Sequence, residues 1–584
     1  MRCVVYWTTT AALTAGTLQV AIAMVRRFAF DEFIWVSRDF VWMVPLAYLV
    51  VFGACAIPLA ALALATPRLI PERAVAFFLM SLAGLAVMLM FPRLHPLAAL
   101  AVAIGGAVRV TSLLPSADTG ERPWVSHWTL LAGTALAVLA GVREVTHRRE
   151  ESTALAELPP ARSGAPNVLL IILDTVRAAS MSFMGYPRLT TPGIAQLAKE
   201  GVTFDHAYTV APWTLPSHAG IFTGLYPSAL SVDWRVPLDE RSTTLAEALS
   251  SAGYVTAGFA ANHFYTSWES GLTRGFAHYE DYRRTWKQVL LSIPPFQTNL
   301  FWSIVHDLRP ANVFTQLRRF DLRTQTMWTS DRKLASAVTD DFLDWERSRG
   351  GRPYFAFLNL YDAHLPYDPP DGWRTKFGGE ANDLDRYDGA IAYMDHELDR
   401  LVSELRRRNA LDGTIMIVTS DHGEGFGEHG LHGHGNSLYR PELHVPLVIR
   451  FPGLVPPGRR VDRPVSLRDL GATIFDLTAV SPGSFAGVSL AAAWRSASAT
   501  VSPVVSEVSA GINTEPSAPV SRGAMRSLVD STAHYIRNGD GAEELYDFRG
   551  DPAEQTDVAA TDTARVASMR TAVQRVVGPP LPRR

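Results

Sequence analysis

The sequence predicts a chain of two parts: multi-pass transmembrane helices, then an α/β domain with a central, mostly parallel sheet flanked by helices. Three observations predict it. Residues 1 to about 142 hold several long apolar runs with almost no internal charge, whereas the rest of the chain has mixed charges throughout. Beyond residue 166, short and continuously apolar runs stop at an acidic residue, the pattern of strands buried on both faces of a parallel sheet. Stretches of helical periodicity lie between those runs, so β and α alternate. At 584 residues the chain is too long for one ordinary domain, and its 47% hydrophobic content reflects the apolar first part.

A helix needs roughly 20 apolar residues to cross a bilayer core of about 30 Å. About five candidate spans begin near Val4, Val41, Val75, Pro96 and His127. The first could be a secretory signal, but later runs such as VWMVPLAYLVVFGACAIPLAALAL indicate a multi-pass anchor. The fourth candidate carries Arg109 and the fifth is short, so four crossings is the alternative. Orientation follows the Lys/Arg bias of short loops. With five spans, Arg26, Arg27 and Arg38 share a side with Arg143, Arg148 and Arg149, and the rule places the globular part in the cytoplasm; with four, the two groups oppose. The expected organisation is a transmembrane region over 1–144, a polar linker over 145–166, a main globular domain over 167–500 and a C-terminal part over 501–584 that completes it.

A net charge of -3 argues against a nucleic-acid partner, which calls for a basic patch. Both cysteines, Cys3 and Cys55, lie in the apolar part, so the globular part has no disulfide framework and no cysteine metal site.

The strand candidates are NVLLIIL before Asp174, YFAFLNLYDAH over 354–364 and TIMIVTSDHGE over 414–424, with TTLAEALSSAG and DRKLASAVTDDFLDWERS as helices between them. In such sheets ligands bind beyond the carboxyl ends of the strands, so polar residues just after them are site candidates. Asp174 alone could be a helix N-cap, and His364 alone a structural histidine. DHGEGFGEHGLHGHGN is different: four histidines and three acids among six glycines suit neither a core nor a regular helix, and read either as a flexible, solvated polar loop or, at the end of a buried strand, as a Zn or Mn site. Residues 286 to 308, WKQVLLSIPPFQTNLFWSIVHDL, read either as a cover near the bilayer on the substrate side or as a buried helical hairpin.

Together NVLLIILDTVRAASMSFMGYPRLTTPGIAQLAKEGVTFDHAYTVAPWTLPSHAGIFTGLYP, SDHGEGFGEHG, HGNSLYRPELHVPLVIRFPG and ELYDFRGDPAEQ resemble the sulfatase family within the alkaline-phosphatase superfamily, over residues 167 to about 560. The resemblance implies an alkaline-phosphatase-like domain. It also implies that the residue two positions before the motif proline is the nucleophile, which in TLPSH is Thr214 rather than Ser217. Sulfatases with cysteine or serine there convert it to formylglycine; threonine departs from that pattern, and no formylglycine is expected. A hydroxyl is a weak nucleophile that metal coordination can activate, and threonine suits phosphoryl transfer. Threonine-bearing relatives that this arrangement resembles, lipoteichoic acid synthases and phosphoethanolamine transferases, are membrane enzymes acting on lipid donors.

By the same resemblance Asp174, Thr214, Asp421 and His422 would hold one divalent metal ion, His364 and His434 would face the substrate, and His218 would take the place of the sulfatase arginine. Thr175 stands where the second acid of the first motif is usual, which favours Mn or Zn while leaving Ca or Mg open. The implied function is a membrane-anchored metalloenzyme, hydrolase or phosphotransferase, acting on a phosphate or sulfate ester that is lipid-linked or part of the envelope. The alternatives are a sulfuric ester hydrolase without formylglycine and an inactive membrane-anchored binding protein. The resemblance also favours an extracytoplasmic catalytic domain, against the arginine count.

Overall fold

The computed structural model describes residues 2–66, 71–91, 94–113, 123–297, 332–349, 351–379, 382–496 and 502–578. They form two compact units, Met1–Glu150 with Tyr282–Asp331, and Glu151–Asp281 with Arg332–Arg584.

The first unit contains α1 (Arg2–Ala29), α2 (Phe40–Ala65), α3 (Glu72–Met88), α4 (Pro96–Ser112) and most of α5 (Pro123–Glu157). Three stretches among the described residues are long and apolar enough to cross a membrane: Cys3–Ala29, Phe40–Ala65 and Thr129–Glu157. The other two helices have 17 residues each, about 25 Å at 1.5 Å per residue, short of a full hydrocarbon core. Trp7, Tyr48, Phe52 and Leu79 are buried where α1, α2 and α3 meet. The indole of Trp7 donates to Glu72 Oε1 at 2.9 Å. Close packing needs glycine at position 16, where a Cβ would lie 2.9 Å from Pro45 Cα.

The stretch expected as a linker from residue 145 instead continues α5 to Glu157. Helix formers and the Glu144–Arg148 pair, 2.7 Å apart at i,i+4, carry the helix past its apolar part. Arg284 donates to Asp39 Oδ2 at 2.7 Å and to Glu144 Oε2 at 3.1 Å, so the start of α2 and this part of α5 lie at one end of the unit.

In the second unit the main sheet has nine strands among the described residues: β1 (Asn167–Leu173), β2 (Val202–Tyr208), β3 (Val255–Ala260), β4 (His278–Glu280), β5 (Tyr354–Leu360), β6 (Thr414–Thr419), β9 (His444–Val445), β10 (Leu447–Arg450) and β11 (Arg459–Ser466). A two-stranded ribbon, β7 (Gly425–Phe426) with β8 (His432–Gly433), folds out of the glycine-rich loop. The order is β11-β2-β10-β6-β1-β5-β3-β4, with β9 on β2. β1 is central and parallel to both β5 and β6, β3 is parallel to β5, and β10 runs antiparallel between β6 and β2. Parallel pairing brings the carboxyl ends of β1, β3, β5 and β6 to one edge.

Alternate residues of the apolar runs feed two cores. Leu169, Ile171, Ala356 and Leu358 pack with Phe342, Leu398 and Leu401 of helices Ala335–Ser348 and Asp383–Arg407. On the other face Phe357 meets Phe222 of α7 (Thr214–Thr223) edge to face at 5.1 Å. A second, antiparallel sheet, β12 (Val504–Val508), β13 (Met525–Val529), β14 (Ala533–Arg537) and β15 (Glu543–Asp547), packs Val505, Leu528, Tyr535 and Leu545 against helix Thr563–Val577.

Three segments of this unit, far apart in sequence, meet in one charge network. His278 contacts Glu151 Oε1 at 3.0 Å and Glu280 Oε1 at 2.9 Å, and Lys333 lies 3.6 Å from Glu280 Oε2 and 2.6 Å from Asp341 Oδ2.

Candidate active site

Asp174 follows β1, Asn262 follows β3, Asp362 and His364 follow β5, and Asp421 and His422 follow β6. Thr214 opens α7. All of these are buried: Asp174, Asp421 and His422 are 0% exposed and Thr214 2%.

Asp174, Asp421 and His422 each present one ligand atom within 4.8 Å of the others. Asp421 Oδ1 accepts from the amides of Thr175 and His422, at 3.0 and 2.9 Å, while its Oδ2 has no hydrogen-bond partner among the described residues. The His422 Nδ1 proton goes to the Gly423 carbonyl at 3.0 Å. This leaves Nε2 as a lone-pair atom 3.4 Å from Thr214 Oγ1 and 3.5 Å from Asp421 Oδ2. Burial, then the neighbouring Asp174 carboxylate, pushes Asp421 well above the usual carboxylate range, and burial pushes His422 well below the usual imidazole value. An orphaned buried carboxylate oxygen, a second buried carboxylate and an open imidazole nitrogen fit a divalent cation, whose charge would offset that penalty.

The backbone is bent to build this site. Thr175, β-branched, has φ 68°, a left-handed conformation costly for such a residue and expected at functional sites. Its hydroxyl donates to Asp174 Oδ1 at 2.9 Å and its carbonyl accepts from Tyr387 at 2.8 Å. At Gly423 a Cβ would lie 2.0 Å from the Pro441 carbonyl oxygen, so only glycine fits beside the metal-ligand candidate His422.

Two amides, not expected from the sequence, complete the first layer. Asn262 Nδ2 donates to Asp174 Oδ2 at 2.9 Å and lies 3.3 Å from Thr214 Oγ1. Asn359 Nδ2 donates to the same Asp174 oxygen at 3.0 Å, and its Oδ1 accepts from the Asn262 backbone at 2.8 Å.

His364, His422 and His434 form a contiguous ring cluster, with His434 4.4 Å from His422 and 5.1 Å from His364. Glu424 accepts from His434 Nδ1 at 3.1 Å and from the Tyr367 hydroxyl at 2.9 Å. Burial works against the His434 charge, but Glu424, together with Glu442 and Asp174, outweighs it and the net effect is upward. His364 stacks on Tyr361 at 4.4 Å, its Nδ1 donates to the Leu365 carbonyl, and burial holds it well below the usual value. Arg332 donates to the carbonyls of His364 and Leu365 and lies 5.0 Å over Tyr361.

His218 is fully buried, with Nδ1 2.8 Å from the Thr214 carbonyl and 3.6 Å from Asp421 Oδ2. Its ring lies between Phe222 and Phe357, and burial lowers its pKa. Ser217 donates to the Asp421 carbonyl at 2.7 Å and pairs with Thr209 at 2.8 Å, so its hydroxyl bonds to the loop that carries Asp421.

The α/β fold of this topology, with acids and imidazoles gathered at the strand ends, is alkaline-phosphatase-like. Residues 166–480 match the family model described as Sulfatase, and the chain belongs to the sulfatase family. It is 25% identical over 383 residues to an arylsulfatase of Clostridium perfringens, covering 56% of this chain and 77% of the relative. It is 26% identical over 445 residues to a choline-sulfatase of Rhizobium meliloti, covering 68% and 83%. Among solved structures, the phosphonate monoester hydrolase of Agrobacterium radiobacter shares the fold with a TM-score of 0.55, at 23% identity, over 70% of this chain and 95% of that one.

Proposed function

We propose that the protein is a membrane-anchored metalloenzyme that cleaves or transfers a phosphate ester group, through Thr214 as nucleophile, on a lipid-linked or envelope substrate. The observation that carries this reading is the convergence on Thr214 Oγ1 of His422 Nε2 at 3.4 Å and Asn262 Nδ2 at 3.3 Å, at the start of α7. Asp174, Thr214, Asp421 and His422 are the proposed ligands of one divalent ion, a set that suits Mn or Zn and also accepts Ca or Mg. Such an ion, when bound, acts as a Lewis acid on the ester oxygen and on the attacking hydroxyl.

Thr214 passes its hydroxyl proton to a solvent water and forms an Oγ–P bond as the bond to the leaving oxygen breaks. Asn262 can donate to the charge that develops on a non-bridging oxygen beside Thr214. His434, carried by Glu424, gives the leaving oxygen its proton, with His364 beside it as the second substrate-facing imidazole. His218, neutral and buried, holds the first turn of α7 through the Thr214 carbonyl. Water or an acceptor alcohol then attacks phosphorus and releases Thr214. Sulfate esters are the second reading, favoured by the names of the arylsulfatase and choline-sulfatase relatives.

The anchor is proposed to cross the membrane an odd number of times, since Arg284 holds Asp39 and Glu144 at one end of the helical unit. The resemblance to enzymes working on the outer side supports an extracytoplasmic catalytic domain. Peptide mass spectrometry after incubation with lipid extracts tests the chemistry. A phosphate-containing adduct on Thr214 is expected, reduced activity in Thr214→Ser and none in Thr214→Ala. An adduct on Ser217, or full activity in Thr214→Ala, overturns the reading.

A further inference from the structure

The apolar stretch after residue 284 sits deep in the catalytic sequence, between β4 and helix Ala335–Ser348, yet Tyr282–Asp331 belongs to the compact unit of α1–α5. We propose that residues 284–297 are a membrane-inserted element, which enters the bilayer core against α1–α3 and holds the chain to the membrane at a second place. The inference rests on the reading of α1, α2 and α5 as membrane spans.

Its residues grade from charge to apolar. Arg284 is paired with Asp39 and Glu144, and Trp286, 66% exposed, suits the membrane–water interface. Helix α9 (Trp286–Leu291) and the turn after it bury Val289, Ile293 and Phe296 in the same cluster as Trp7, Tyr48 and Leu79. The spans carry a polar socket for this segment. Gln19, 4% exposed, accepts from the Tyr48 hydroxyl through Oε1 and donates through Nε2 to the Ser292 carbonyl, both at 2.8 Å. In hydrocarbon an amide needs a partner within the protein, and Ser292 supplies it.

The depth follows from helix geometry. Gln19 lies seven residues before Arg26, the first charge near the end of α1, and Tyr48 nine after Asp39, roughly 10 and 14 Å along helices rising 1.5 Å per residue. Both estimates lie well inside a core of about 30 Å.

The test uses the full-length protein in vesicles with Cys3→Ala and Cys55→Ala as background. Single cysteines at Leu290, Trp286 and Val50, the last exposed on α2 at similar depth, carry a fluorophore, and the lipids carry a quencher at mid-chain. Loss of fluorescence is expected to be as large at Leu290→Cys as at Val50→Cys, and smaller at Trp286→Cys. Quenching at Val50→Cys with none at Leu290→Cys overturns the proposal, whereas no quenching at Val50→Cys overturns the membrane reading itself and the proposal with it. Hydrogen exchange of the unmodified protein in nanodiscs gives an independent readout. Amides of 289–296 are expected to exchange as slowly as those around Gln19, and exchange as fast as at the fully exposed Asp371 overturns the proposal.

Discussion

One amide nitrogen of Asn262 lies 2.9 Å from Asp174 Oδ2 and 3.3 Å from Thr214 Oγ1, joining a metal-ligand candidate to the nucleophile candidate. Asn262→Ala removes both contacts and the donor available to a charged oxygen. Removal of one such donor costs about 10²–10³ in kcat elsewhere. A fall of at least about 10-fold in kcat, with a smaller change in KM, is expected for chromogenic phosphate and sulfate esters. An unchanged kcat would show that Asn262 only packs against the strand ends.

Asp421→Asn keeps the shape of the side chain and removes its charge. Because Asp421 Oδ2 is buried with no hydrogen-bond partner among the described residues, metal bound to the purified protein should fall far below one equivalent. Elemental analysis of variant and parent checks this, and near-stoichiometric Mn or Zn in the variant would exclude Asp421 as a ligand.

The His278 network sets a stability dependence on alkaline pH. Burial works against the charge on His278, but hydrogen bonds to Glu151 and Glu280 outweigh it and raise its pKa from 6.5 to about 9. A raised folded-state pKa contributes stability that is complete below the unfolded value and is lost as pH rises through the folded one. Thermal midpoints should therefore fall between about pH 6.5 and about pH 9, and more steeply than in His278→Gln. Parallel curves for the two proteins would remove His278 as the cause.

Protease added to spheroplasts should degrade residues beyond Gly164 while the helical unit survives. Arg26, Arg27 and Arg38 lie near the end of the unit that also carries Arg143, Arg148 and Arg149, so the positive-inside rule argues for the opposite sidedness. Protection of the domain until the cells are lysed would mean that the rule prevails.

Asp174, Asp421 and His422 were legible because each ends an apolar run whose length and composition define a buried strand. Asn262 was not, since β3, VTAGFA, is built partly of small residues and a neutral amide carries no charge to draw notice. Glu424 stood inside the glycine-rich loop, but its pairing with His434 depends on the fold-back of β7 on β8. Residues 286 to 297 were plainly apolar, yet periodicity does not say which core an apolar segment joins, and they belong with α1–α3. Residues 298 to 308 of that segment lie outside the described residues.

The central position of β1 governs how the chain is made. Its two neighbours are β5 and β6, so from the synthesis of Leu173 to that of Tyr354 roughly 180 residues must leave the ribosome before β1 has a partner. At about 5–20 residues per second that interval is roughly 9 to 36 s. By then α1 to α5 and residues 284–297 have been synthesised, so the helical unit can assemble while the sheet is still open. The order of strands thus gives the helical unit a head start, and the main sheet closes only after that unit has been synthesised.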